Sequence, residues 1–204
     1  MDLIIWRKMK YFSKHKFPHI VLSFLPRFFV QKIISSRLEI NTDLGQYENI
    51  TFKVADTIEE IEGALSLIQK TYLQTGLTTD SDNLQRVLKY NLLPTTLVVV
   101  AKHYEEVIAT MSVVTDSVLG LPIDEISDIS SLRKTQKVIA EFSGLVIARG
   151  WRRENKRIFS PLTLYSLKIA SEVLNVDKFV LVTNLAGKLF YNNIQGSVDL
   201  VKKE

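Results

Sequence analysis

The sequence predicts a mixed α/β fold of the α+β type, with a mostly antiparallel central sheet flanked by helices. Three observations lead there. Strand-like apolar runs recur at 50–55, 95–103, 107–116, 136–148 and 178–183, several with the alternation of a half-buried strand. Helical spacing recurs at 58–75 and 160–175. The strands at 95–103 and 107–116 are joined by Tyr104, Glu105 and Glu106 alone, a connection too short for anything but an antiparallel pair. The predicted order is strand, two helices, three strands, helix, strand, helix, short strand.

Each element has a local reason. Residues 50–55 (ITFKVA) alternate as a strand. Thr57 and Glu60 then form a capping-box pattern, and Ile58, Ile61, Leu65, Ile68 and Tyr72 follow at helical spacing up to a stop at Gly76. A second helix is expected from Asp80 or Ser81, with Leu84, Val87 and Leu88 inward and Pro94 as its end. Residues 117–134 form a connection long enough to suggest a functional loop. Ser160 as N-cap with Pro161 at the first helical position predicts a helix over 160–175. Strand 178–183 (KFVLVT), a helix at 184–193 and a brief strand near 198–201 complete the body. No internal repeat and no low-complexity segment is present.

Composition narrows the function. A chain of 204 residues with 46% hydrophobic content suits one domain with an appended arm. The expected division is a basic amphipathic helical arm over 1–40, a linker at 39–49, and the main domain over 50–204. The absence of cysteine removes disulfides, zinc ribbons and thiol nucleophiles, and fits a reducing cytoplasm. Residues 1–37 hold eight Lys or Arg against one acid, whereas the rest holds 18 bases against 21 acids. The arm's longest charge-free stretch, 17–26, is far short of the ~20 residues of a membrane span. It also lacks a small-residue cleavage site, so it fits a signal peptide poorly. Contact with anionic lipid at the inner membrane, docking to an acidic partner, or packing on its own domain all suit its Trp, Phe and Lys content. The acidic balance of the body argues against broad nucleic-acid binding. His15, His19 and His103 have no companion ligands, so no metal is expected. Ser112 and Ser143 have no histidine near in sequence, so a nucleophilic triad has no positive support.

Chemistry is concentrated at 138–161. Glu141 lies among Val, Ile, Ala, Phe and Leu, where a carboxylate is costly unless it is paired or functional. Desolvation there raises its pKa toward that of a general base. The plainer reading is a structural carboxylate bonded to an arginine or a hydroxyl. Residues 149–157 follow with five bases (Arg149, Arg152, Arg153, Lys156, Arg157) and one acid, Glu154. Alone, such a run is a solvated face. Before a helix N-terminus it suits a phosphate or an acidic protein. With Gly150 as its one glycine, it is neither a Walker loop nor a dinucleotide fingerprint. Tyr191, seven residues after Asn184, is either a proton donor to a leaving thiolate or a core aromatic.

The element order, the glutamate strand and the loop leading into the next helix resemble the GNAT acyltransferase superfamily. Within it, DSVLGLPIDEI (116–126), AEFSGLVI (140–147) and the pair Phe190-Tyr191 after Asn184 resemble FeeM-like long-chain N-acyl amino acid synthases, relatives of the acyl-homoserine-lactone synthases. The likeness covers roughly 50–196 and leaves out the basic arm. It implies that strands 137–148 and 178–183 splay to admit a pantetheine arm. It implies a fatty acyl donor carried as acyl-phosphopantetheine on an acyl carrier protein, or on coenzyme A, with an amino acid as acceptor and no permanently bound cofactor. Glu141 is then the base or water-orienting group, Ser143 lies beside it, and Tyr191 matches the general-acid position by spacing. Val146, Arg149, Arg152, Arg153, Lys156, Arg157 and Ser160 form the donor-binding set. The C-terminus looks short for the last two strands of such folds. A small-amine acetyltransferase, a lactone synthase and a non-catalytic basic binding module remain open alternatives, and the expected location is the cytoplasm or the inner-membrane periphery.

Overall fold

The computed structural model describes the backbone of residues 2–7, 40–44, 47–79, 82–135, 137–183 and 198–201, with side chains from Asn49 to Val182 apart from Asn155 and Lys156 and the gaps just given. Eight strands among these residues form one sheet: β1 (Asp2–Arg7), β2 (Ile40–Leu44), β3 (Tyr47–Val54), β4 (Leu97–His103), β5 (Glu106–Thr115), β6 (Ile139–Ile147), β7 (Lys178–Thr183) and β8 (Val198–Val201). Their spatial order is β2-β3-β4-β5-β6-β7-β1-β8. Every pairing is antiparallel except β6 with β7. That parallel pair follows from the helix crossing between the two strands. The mixed, mostly antiparallel sheet expected from the sequence is therefore present.

Three α-helices lie among the described residues: α1 (Ile58–Thr75), the single turn α2 (Ser130–Arg133) and α3 (Asn155–Glu172). Thr57 caps α1 by accepting the Glu60 N–H at 3.2 Å, while the Glu60 carboxylate takes the Asp56 N–H at 3.0 Å. This is a capping box displaced by one residue on the return side. Gly76, at φ 71°, closes the helix, and Leu77 N–H reaches back to the Tyr72 carbonyl at 2.9 Å, the bonding of a left-handed C-terminal cap.

The two sheet faces are covered by different elements, as the period of two requires. Phe52, Val99, Met111, Val113, Ala140, Phe142, Phe179 and Leu181 form one core with Ile158, Leu162, Tyr165 and Ile169 of α3. On the other face, Val98 and Val100 meet Ala64 of α1. Val114, Ile139 and Val180 pack there with Tyr90, Leu121 and Ile123. Glu141 belongs to this second face, which the 117–134 connection and α1 cover.

The structure corrects four expectations. Residues 2–7, read as part of a helical arm, are a strand hydrogen-bonded between β7 and β8. Residues 40–44, read as linker, pair with β3. Both segments suit a strand because an open sheet edge offers their backbone partners, information that is not local. Residues 8–39, which hold most of the basic arm, and 184–197, which hold the expected helix and Tyr191, lie outside the described residues.

The expected helix after Asp80 is absent over 82–88. That stretch is irregular and leads into a 3-10 turn, Lys89–Leu92. Leu84 and Val87 are 85% and 56% exposed rather than inward. The backbone there is committed elsewhere: Arg86 N–H bonds the Leu65 carbonyl at 3.2 Å, and Leu88 N–H bonds the Asn91 side chain at 2.7 Å.

The fourth correction is the start of α3. It begins at Asn155, so Ser160 is an interior residue and Pro161 lies inside the helix. Extending the helix upstream buries Ile158 and Phe159. Each buried side chain of that size contributes about 1.5–3 kcal/mol, enough to offset one missing proline hydrogen bond.

Candidate active site

The site is built where the pairing of β6 with β7 ends. Residues 139–142 of β6 pair with 178–181 of β7, and the register ends at Phe142↔Leu181, although β6 runs on to Ile147. On the β5 side, Thr110 opposes Val146 while Ser112 opposes Ser143. Two steps along β5 thus match three along β6, which is a β-bulge. Gly144 sits in it at φ 62°, a conformation that costs other residues roughly 1–2 kcal/mol. A Cβ at Gly144 would also come within 2.9 Å of Ile68 Cδ1. We expect Gly144→Ala to lose about 1–2 kcal/mol in chemical denaturation and to displace Ile68, which lines the adjacent pocket.

Glu141 lies just before the bulge and is 3% exposed. Its Oε2 accepts the Ile123 N–H at 2.7 Å. Burial pushes its pKa up to about 8; the Ile123 bond opposes the rise, and the Asp124 and Glu125 charges add to it. The group is therefore poised to exchange a proton near neutral pH. Among the described residues no arginine pairs with it, and its bond is to a backbone N–H rather than to a hydroxyl.

The Ile123 N–H is held by a clamp at the base of the 117–134 connection. Arg133 bonds both oxygens of Asp116 at 2.7 and 2.9 Å and both oxygens of Asp124 at 2.8 and 2.6 Å. Asp124 also takes the Leu121 N–H at 2.7 Å, opening the 3-10 turn Pro122–Glu125. The Arg133 bonds hold the Asp124 carboxyl below its usual range. Forked pairs of this kind are stronger than ordinary surface bridges, though partial exposure screens them. Arg133→Ala should therefore cost about 1–2 kcal/mol. It should also slow turnover several-fold and shift the ascending limb of the pH–rate profile to higher pH, since the bond that lowers the Glu141 pKa is loosened.

A shallow pocket, open to solvent, lies near this carboxylate. Its walls are Leu65, Ile68 and Tyr72 from α1, Arg86, Leu88, Tyr90 and Asn91 from the following segment, Ser112 and Val114 from β5, and Ser143 and Gly144 from β6. Val114 is the cross-strand partner of Glu141, and Ser143 shares its face two residues on. Tyr90 donates its hydroxyl to the Leu121 carbonyl at 3.1 Å, joining the pocket wall to the connection that covers Glu141. Burial pushes the Tyr72 phenol up; Arg86 pulls it back down and Glu141 adds to the rise, so both charges act on this one side chain.

The predicted site residues separate into three groups. Glu141 and Ser143 come together beside the pocket. Val146 is buried on β6 beyond the bulge. Arg149, Arg152 and Arg153 are exposed on a 3-10 turn, Arg149–Glu154, and Arg157 is exposed in the first turn of α3, where Lys156 also falls. Trp151 pins that turn, its N–H bonding the Ala148 carbonyl at 2.9 Å and its ring 4.9 Å from that of His103. Ser160 does not cap the helix, so the reason for assigning it to an anion site is removed. Tyr191 lies outside the described residues. Among the described residues no cluster of His, Cys, Asp or Glu forms a metal site, and no helix is long and apolar enough to cross a membrane. Sequence reasoning missed Tyr72, Arg86 and Tyr90 as pocket walls and Arg133 as the clamp.

A mixed sheet opened between two parallel strands, with a bulged strand and a buried glutamate at the opening, is the GNAT acyltransferase fold. The same fold is found in a predicted acetyltransferase with acetyl-CoA from Clostridium acetobutylicum, 15% identical over 72% of this chain and 90% of that one, with a TM-score of 0.51. The family model for N-acyl amino acid synthase FeeM matches residues 63–204. The chain belongs to that family, and it is an N-acyltransferase. The structure of FeeM, an N-acyl amino acid synthase from uncultured soil microbes, superposes with a TM-score of 0.56 at 19% identity, over 70% of this chain and 75% of that one. None of the curated proteins matches the sequence.

Proposed function

We propose that this N-acyltransferase moves a fatty acyl group from the phosphopantetheine thioester of an acyl carrier protein to the α-amine of an amino acid, giving an N-acyl amino acid. The observation that carries this reading is Glu141, a carboxylate buried at the point where β6 leaves β7, with its pKa raised to about 8. Membership of the FeeM family supports the acceptor class.

In this mechanism the pantetheine arm lies along the β7-side edge of β6 beyond Phe142, where no strand among the described residues pairs with it, and bonds it as a strand would. The amino acid occupies the pocket against Ser143 and Tyr72. Its amine is mostly protonated near neutrality. Because Glu141 is covered by the 122–125 turn, it acts on the unprotonated fraction of that amine through a water at the Ser143 wall. The amine nitrogen then attacks the thioester carbonyl. Backbone N–H groups at the bulge stabilise the oxyanion. Attack forms the C–N bond and leaves the nitrogen with a surplus proton, which Glu141 removes through the same water; collapse then breaks the C–S bond, and the thiolate leaves and takes a proton from solvent. The thioester is already activated, so no metal is needed for this step.

The exposed Arg149, Arg152, Arg153 and Arg157 complement the acidic surface of a carrier protein, and such complementarity acts mainly on association. A reconstituted reaction tests the reading. Acyl carrier protein and coenzyme A thioesters of several chain lengths are offered with each amino acid, and products are read by mass spectrometry. Long-chain N-acyl amino acid from the carrier-protein arm is expected. A short-chain amide from the coenzyme A arm alone would replace the donor assignment, and a lactone would replace the product.

A further inference from the structure

The pocket beside Glu141 carries one arginine in a largely apolar wall. Arg86 is half-buried, and its guanidinium carbon stands 5.1 Å from the centroid of the Tyr72 ring. Its own backbone is fastened to α1 through the Leu65 carbonyl. The aromatic face and the fastened backbone hold the cation in place. Among the described residues Arg86 forms no ion pair with a carboxylate. A guanidinium walled by Leu65, Ile68 and Leu88 is costly to desolvate when the pocket fills, unless the occupant brings an anion. Tyr72 is the side chain on which the charges of both Arg86 and Glu141 act. Arg86 and Ser143, the residue that shares the Glu141 face of β6, line the same pocket, an arrangement that matches a molecule carrying an amine next to a carboxylate.

We propose that Arg86 binds the carboxylate of the acyl acceptor and is the residue that selects amino acids over plain amines. This inference rests on the acyl-transfer reading above. A guanidinium suits the task because its planar fork takes both carboxylate oxygens. The acceptor then enters with its carboxylate toward the 82–88 segment and its amine toward β6.

The test compares paired acceptors that differ only in carboxylate against carboxamide, with a fixed saturating acyl donor, for wild type, Arg86→Ala and Arg86→Lys. Wild type should favour the carboxylate on the order of 10²-fold in kcat/KM, the loss typical when one partner of a buried charged bond is removed. Arg86→Ala should lose most of that preference by raising KM for the amino acid far more than for the amide. Arg86→Lys, with charge but no fork, should fall between the two. Retention of the wild-type ratio in Arg86→Ala overturns the assignment. If Arg86→Ala does not fold, Arg86→Lys with the full wild-type ratio overturns it instead. Wild type acylating both acceptors equally overturns the role of Arg86 but leaves acyl transfer standing. Wild type acylating neither with any donor overturns both.

Discussion

Glu141→Gln should lower acyl-transfer turnover by about 10²–10⁴-fold, the usual cost of removing a general base, while the fold is kept. The amide is nearly isosteric, and its oxygen can still accept the Ile123 N–H that the carboxylate takes at 2.7 Å. Stability should not fall with the activity. Burial raises the native pKa of Glu141 from 4.5 to about 8. Between those values the native state holds a proton that the unfolded chain has released. Stability therefore declines as pH rises through that window, and the decline is complete above about 8. Glutamine has no such linkage. Thermal unfolding should show Glu141→Gln at least as stable as wild type on the alkaline side, with a flatter dependence on pH. A variant that loses turnover and also unfolds would mark Glu141 as structural.

Charge reversal at Arg149, Arg152 and Arg153 should lower kcat/KM for an acyl carrier protein donor by about 10–10³-fold, the range over which electrostatic steering changes association. These side chains are exposed and the turn is anchored by Trp151, so folding should be unaffected. kcat at saturating donor should change little, and the wild-type rate should fall with added salt. An acyl pantetheine fragment without the carrier protein provides the control. It should be used equally well by both proteins. A reversal variant with unchanged donor KM would remove the carrier protein from this surface.

What was legible in the sequence was local. Glu141 stood out because a charged residue in an apolar strand is expensive wherever the strand ends up. Thr57 and Gly76 announced the ends of α1 through bonds made within a few residues. The misreadings share one cause. Leu3 to Trp6 and residues 40–44 become strands because distant sheet edges offer partners. Leu84 and Val87 resembled a helix face, but the backbone there bonds to Leu65 and to the Asn91 side chain instead. Ser160-Pro161 carried a strong start signal, yet core packing of Ile158 and Phe159 moved the start upstream. Arg86 was invisible for the same reason, since its meaning comes from Tyr72 and the pocket. Arg133 looked like one surface base among many until Asp116 and Asp124 closed around it.

The pH dependence of acyl transfer to an aminooxy acid tests the role of Glu141 most directly. Such an acceptor keeps the carboxylate, but its nitrogen is already unprotonated across the neutral range, so a titration of the acceptor cannot imitate one of the enzyme. The log of the single-turnover rate in wild type should climb with pH and level off near 8, and Glu141→Gln should be slow and flat over the same range. A flat wild-type profile, or the same limb surviving in Glu141→Gln, would contradict the assignment of this carboxylate as the base.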